Sequence, residues 1–323
     1  MKRFGMVAAA LLLLARPSAA SSITYFDTVY NTDYATSAIG LRHVSTGDIT
    51  VSGVSGTVTR AYLYWHGLTN TSDPTINQNI TFAGNQIQGT NLGLSSGNEW
   101  YISDANPDLG VYPSSQAYRA DVTQYVTGNG AYNLAGLLNT LNVGEENGAS
   151  LWVFFDDGNA ANNRDVVLFN GNASNWDTAI DPAGWDFTLN GINYTGGNAY
   201  LRTFVSDGQT FADPALRING DVFVPDGQDF FNGSDPAAPG AFNLNGSLVD
   251  VDSFDITSKL SIGINNIRIQ GDTLTSSVNG TDYLNMIVAG VDLPAGAVPA
   301  VPEPGTMVLV GFGLAAFRKY RRS

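Results

Sequence analysis

The chain has 323 residues, with 43% hydrophobic residues, 36 glycines, no cysteine and a net charge of −14. Seven of its 15 basic residues but only one of its 29 acids lie in the first 20 residues or beyond residue 300, so the body between carries 8 bases and 28 acids, a net of −20. That body repels phosphate backbones, which excludes nucleic-acid binding, and the missing cysteines exclude disulfides, thiolate zinc sites and cysteine nucleophiles.

In chain order, residues 1–20 read as a secretory signal. Lys2 and Arg3 form the basic start, Leu11–Leu14 lie in a short apolar run, and Ser18-Ala19-Ala20 provides small residues before a cut. Residues 21–295 show no sustained apolar period of 3.6. Short β-branched and aromatic runs are instead bounded by Gly, Asn, Asp and Pro. In Val58–His66 the residues Thr59, Ala61, Leu63 and Trp65 alternate with Arg60, Tyr62, Tyr64 and His66, which predicts a strand. Leu151–Phe155 is a continuous Leu-Trp-Val-Phe-Phe run, as for a strand buried on both faces. Val166–Phe169, Ala199–Val205, Ile262–Gln270 and Tyr283–Val291 are further strands, and Leu134–Leu141 is the one short helix expected. The fold class is therefore all-β, of sandwich or barrel type.

The body repeats itself. Ala61-Tyr62-Leu63-Tyr64 recurs at Ala199-Tyr200-Leu201-Arg202, Ile80–Asn85 at Leu216–Asp221, and Asp121-Val122-Thr123 at Asp255-Ile256-Thr257. With Leu151–Phe154 set on Asn285–Val288, the offsets run from 138 to 134 in one order. Two tandem β-sandwich units are expected, at 21–164 and 165–295. They follow the signal peptide at 1–20 and precede a 296–323 linker and tail with a short hydrophobic helix. The succession of a strand ending in Tyr-Trp, a Phe-Ala-Gly-Asn turn, Asp-Val-Thr and a buried strand is similar to jelly-roll-like modules of bacterial surface proteins. That resemblance implies architecture and an extracellular setting but no chemistry.

The tail has three parts in order: Pro302-Glu303-Pro304, the apolar Met307–Phe317, and the basic Arg318, Lys319, Arg321 and Arg322. It resembles the PEP-CTERM sorting signal of exosortase substrates in Gram-negative bacteria. The resemblance implies an exosortase-type membrane protease as partner, transient anchoring in the inner membrane, and then the cell surface or the extracellular space. It also implies association with exopolysaccharide or biofilm. The basic cluster acts as the membrane stop signal and stays cytoplasmic. As a helix the apolar run spans only ~16 Å of a ~30 Å hydrocarbon core, which suits temporary retention before cleavage.

Catalytic patterns are sparse. His43 and His66 are the only histidines, and His66 reads more simply as a strand-end side chain with one hydrogen bond than as a general base. Gly93-Leu94-Ser95-Ser96-Gly97 matches a nucleophile-elbow string but is expected to be a loop, without the strand and helix that the motif needs. No catalytic residue is assigned, and a non-enzymatic structural or adhesive protein is expected. Two alternatives stay open. One is a carbohydrate-binding module stacking sugars on Trp100, Trp176 or Trp185. The other is a glycan-active hydrolase with a carboxylate pair drawn from Glu99, Glu145, Glu146, Asp156 and Asp157. No cofactor is required; calcium is the candidate ion, with Asp156, Asp157, Asp226 and Asp229 as candidate ligands. Their plainer reading is Asx turns at loop tips, and Asp121 and Asp255 are expected to cap their turns through side-chain to backbone hydrogen bonds. Calcium could bridge the acidic body to an anionic polysaccharide.

Overall fold

A computed structural model describes residues 23–97, 112–176, 178–182, 184–271 and 282–296. The signal at 1–20 and the tail helix lie outside the described residues. Among those described, the chain is strand and turn apart from two single 3-10 turns, Thr123–Tyr125 and Thr257–Lys259. The protein is an all-β sandwich. No helix among the described residues is long and apolar enough to cross a membrane.

The first half supplies β1 (Thr24–Gly40), β2 (Thr46–Val51), β3 (Thr57–Thr69), β4 (Asn79–Phe82), β5 (Asn85–Gln88), β6 (Thr90–Ser96), β7 (Ser114–Asp121), β8 (Gly130–Ala135), β9 (Asn139–Thr140) and β10 (Gly144–Asp156). The second supplies β11 (Arg164–Ser174), β12 (Asp186–Tyr194), β13 (Tyr200–Ser206), β14 (Leu216–Ile218), β15 (Asp221–Val224), β16 (Val249–Asp250), β17 (Ser253–Asp255), β18 (Gly263–Gly271) and β19 (Asn285–Pro294). One antiparallel sheet runs β16-β13-β19-β11-β1-β10-β3-β7-β6, with β17 beside β13 and β9 beside β10. Two four-stranded sheets, β2-β8-β4-β5 and β12-β18-β14-β15, cover it.

Alternation places the core. On β3, Ala61, Leu63 and Trp65 pack under the β2-β8-β4-β5 sheet with Leu151, Val153 and Phe82, while Tyr62 and Tyr64 point the other way. On β10, Trp152 and Phe154 share that second face with Val166, Leu168, Phe204 and Ile287, so the two halves of the large sheet meet through it. A third cluster fills the second half, around Leu189, Leu201, Leu216, Ile267 and Val291. β3 and β10 are thus buried on both faces, as the Leu151–Phe155 run predicts for β10; for β3 the sequence predicts only an alternating strand.

The halves share a strand order. The order β2-β8-β4-β5 corresponds to β12-β18-β14-β15, and β1-β10-β3-β7 to β11-β19-β13-β17. Local bonds correspond as well. Thr123 Oγ1 accepts the Ala61 N–H at 2.9 Å and Thr257 Oγ1 accepts the Ala199 N–H at 2.9 Å. Val122 N–H donates to the Ala61 carbonyl and Ile256 N–H to that of Ala199. The large sheet runs straight through position 164/165, because β1 pairs with β10 along one stretch and with β11 along another.

Three sequence expectations need correction. Setting Leu151–Phe154 on Asn285–Val288 is out of register: Leu63 faces Leu151, whereas its counterpart Leu201 faces Val291. The strand offset is therefore 140 and not 134. Leu134–Leu141 is not a helix. Leu134 and Ala135 belong to β8, Gly136 takes a positive φ of 72° that breaks any helical turn, and Asn139–Thr140 pair with β10. Gly93–Gly97 is not a loop, since Gly93–Ser96 belong to edge strand β6 and pair with β7 through a bulge near Gly93.

Candidate functional site

Two places stand out: the polar seam between the halves and the end where the chain leaves the fold. At the seam, β3 and β13 bring His66 and Ser206 together, Nδ1 to Oγ at 2.8 Å, both fully buried. Beside them Arg42, 5% exposed, lies between Glu145 of the first half (3.6 Å) and Asp207 of the second (3.8 Å). Tyr112 donates to Glu145 Oε1 at 2.9 Å, His43 Nε2 lies 3.4 Å from Glu145 Oε2, and Asn77 donates to Glu146 Oε2. Glu145 and Glu146 help line a small pocket with Asn77, Gln116 and Tyr118.

Burial governs the protonation of this seam. It lowers His66 to about 3, helped by Arg42, so the imidazole is neutral. It pushes Glu146 well above the usual carboxylate range, and it does the same to Asp282, helped by the charge of Asp207. A neutral histidine on a serine hydroxyl has the parts of a base and nucleophile. Both side chains have zero exposure, and their bond joins β3 of the first half to β13 of the second. Sequence reasoning reached His66 with one hydrogen bond but missed Arg42, Ser206, Asp207 and Asp282. They meet across some 140 residues of chain and carry no local pattern.

The candidates named from sequence scatter. Trp185 is 1% exposed, donates its indole N–H to the Ala173 carbonyl at 2.6 Å and meets Phe231 edge-on, so it is a core residue and no sugar platform. Trp176 is half-buried against Tyr283. Trp100 and Glu99 lie outside the described residues. Asp156 and Asp157 accept backbone N–H groups two residues on, at 2.8 and 2.7 Å, which makes Asx turns. Asp226 and Asp229 are exposed after β15. Among the described residues no group of three or more His, Asp or Glu is placed to share a metal ion. Asp121 and Asp255 cap their turns, each accepting the Thr N–H two residues on at 2.9 Å.

At the exit, β19 is held to the last described residue. Ala295 N–H donates to the Asn163 carbonyl at 3.3 Å, and Gly296 N–H to Asp165 Oδ2 at 3.1 Å. The other oxygen of Asp165 accepts Asn31 N–H at 2.8 Å. Asp292 is gripped by Arg164 and by the Tyr34 hydroxyl at 2.8 Å, and the Tyr34 ring stacks on Trp152. The chain beyond Gly296 therefore starts from a fixed point, beside the turns at 156–163 and 195–199.

Residues 300–322 match the PEP-CTERM protein-sorting motif. The chain carries a PEP-CTERM sorting signal. Pro302, Glu303, Pro304 and the basic residues Arg318, Lys319, Arg321 and Arg322 fall in the matched stretch, outside the described residues. A PEP-CTERM signal marks an exported protein processed at a membrane by an exosortase. No curated protein matches the chain. Similar solved structures include a peptide-N(4)-(N-acetyl-β-D-glucosaminyl)asparagine amidase, at 11% identity over 85% of this chain and 98% of that one, with a TM-score of 0.28. Another is PNGase F, a glycosylasparaginase from Flavobacterium meningosepticum, at 13% identity over 85% and 98%, with a TM-score of 0.32. At these scores the chemistry of this chain has to be argued from its own residues.

Proposed function

We propose that this PEP-CTERM protein is a non-enzymatic structural or adhesive component of the cell surface or extracellular matrix, associated with exopolysaccharide. The observation that carries the reading is the sorting motif at residues 300–322 behind an all-β body. Export through residues 1–20 would be followed by retention on the short apolar tail, cutting near Pro302-Glu303-Pro304, and release of the body to the surface. The repeated strand orders support treating 21–164 and 165–295 as duplicated units, whose side-by-side packing makes a stiff spacer. A net −20 body does not adhere to an anionic polysaccharide unaided, so a divalent cation such as calcium would bridge the two.

Polysaccharide pull-down with and without calcium, combined with a reducing-sugar assay, tests this reading. Calcium-dependent retention on anionic polymer without sugar release is the expected result. Release of reducing sugar would replace the structural role with a hydrolase. Saturable, calcium-independent binding to one glycan would favour a carbohydrate module, whose platform narrows to Trp100 and Trp176 now that Trp185 is in the core.

A further inference from the structure

The end of the molecule where the described chain stops also carries the most exposed isoleucines among the described residues. Ile262 is 82% exposed, in the turn between the Thr257–Lys259 3-10 turn and β18, and Ile264 is 70% exposed, as the second residue of β18. They do not stand out through looseness of the turn. Asn265 stitches it: its Oδ1 accepts Ser261 N–H at 2.9 Å, and its Nδ2 donates to the Ser261 and Gly263 carbonyls at 2.7 and 2.8 Å. Asn265 thus fixes the turn that presents Ile262, while the pleat of β18 turns Ile264 outward, away from the face of buried Ile267 and Ile269.

The loop is placed beside the exit by pairing. Gly263 is opposite Tyr194, whose hydroxyl donates to the Gly197 carbonyl, and a Cβ on Gly197 would touch Pro294 of β19. Thr257, at the start of the same segment, bonds Ala199 one strand over from Asp292. Met307, where the apolar run begins, follows Gly296 by 11 residues, so the connection reaches about 40 Å at most. A tail inserted in a bilayer thus keeps this end of the body close to the lipid surface. Tethering raises the local concentration enough for two isoleucines to matter, although they would not bind a membrane alone. Lys259 adds a cation at the loop, though paired with Asp221, while the strongly acidic remainder of the body is not drawn to an anionic surface.

We propose that the 260–264 loop is a lipid-contacting tip that seats the tethered body on the membrane with its exit end down until the tail is cut. This orientation keeps Pro302-Glu303-Pro304 at the interface and points the opposite end outward, where Leu244 is 80% exposed and Asn245 accepts a bond from Thr210. The proposal rests on the membrane retention inferred above.

The chain has no cysteine, so single cysteines label cleanly. Full-length Ile262→Cys and Leu244→Cys variants, each carrying an environment-sensitive fluorophore, are reconstituted into phosphatidylethanolamine–phosphatidylglycerol vesicles containing nitroxide-labelled lipid. We expect several-fold stronger quenching and a blue-shifted emission at position 262 and neither change at 244. Equal quenching at the two positions, none at either, or quenching at 244 alone each overturns the tip. If the full chain fails to float with the vesicles at all, it is membrane retention that fails, which separates the two readings.

Discussion

Asp213 and Asp250 show how single buried acids set the behaviour of the second half. Asp213 accepts the Phe230 and Phe231 N–H groups at 2.7 and 2.8 Å, and Asp250 accepts those of Gly233 and Ser234 at 2.8 and 3.0 Å. Burial outweighs these bonds and raises both to about 7, with Asp252 raised to about 6. A raised folded-state value means that the fold holds protons the unfolded chain has released. The stability this supplies is complete below about 4 and is lost as pH rises through 7. His66 works the other way: lowered to about 3, it supplies stability above about 6.5 that is lost as pH falls toward 3. Three carboxylates outweigh one imidazole, so the melting temperature should rise between pH 8 and pH 5. Asp250→Asn, which keeps one of the two acceptor oxygens but cannot titrate, should shrink that rise in a pH series of thermal melts. An equal rise in the variant would show that Asp250 does not titrate there. None of this was legible in sequence, because the burial of Asp213 and Asp250 carries no local pattern. The turn role of Asp121 and Asp255 was legible, because an Asp-x-Thr string states its own local bond.

Strands were readable where they are buried on both faces and unreadable where composition hides them. The Leu-Trp-Val-Phe-Phe run declared β10, and its Trp152 is fully buried, over Gly290 of β19. Trp152→Ala should cost about 3–5 kcal/mol in urea unfolding. Gly290→Val should cost about 1–3 kcal/mol, because a Cβ there falls 2.9 Å from the Trp152 ring, tighter than packing allows. A loss below about 0.5 kcal/mol for both would mean that the two sheet halves do not press together as described. β6 escaped notice because Gly93, Ser95 and Ser96 lack β-branched side chains. Pairing with β7 and the Ser95 bond to Asp181 at 2.8 Å hold it in place. Likewise Leu134, Leu137 and Leu138 suggested a helix only through spacing, which Gly136 defeats. Repeat motifs survived at the Ala-Tyr-Leu and Asp-x-Thr positions because those residues make the same bonds in both halves. The fourth match failed because strand interiors keep hydrophobicity and not identity.

At the scale of the whole molecule, a rigid body meets a tail whose chemistry is independent of it. β19 is fastened by Asp165 and Asn163 up to Gly296, five residues before the 301–305 stretch begins. Pro302 and Pro304 disfavour a regular helix or strand, which is why the proposed cut is placed at this stretch. On the proposed reading, the apolar Met307–Phe317 would be a short anchor, and Arg318, Lys319, Arg321 and Arg322 would stop its passage. Replacing Pro302-Glu303-Pro304 by alanines should leave export intact while trapping the protein in the membrane fraction of an exosortase-bearing host. Deleting residues 301–323 should release it unsorted into the periplasm. Fractionation and mass spectrometry of the surface form read both outcomes. A surface protein that still carried residues 305–323 would make the tail a permanent anchor despite its length, and the body would then spend its working life beside the lipid.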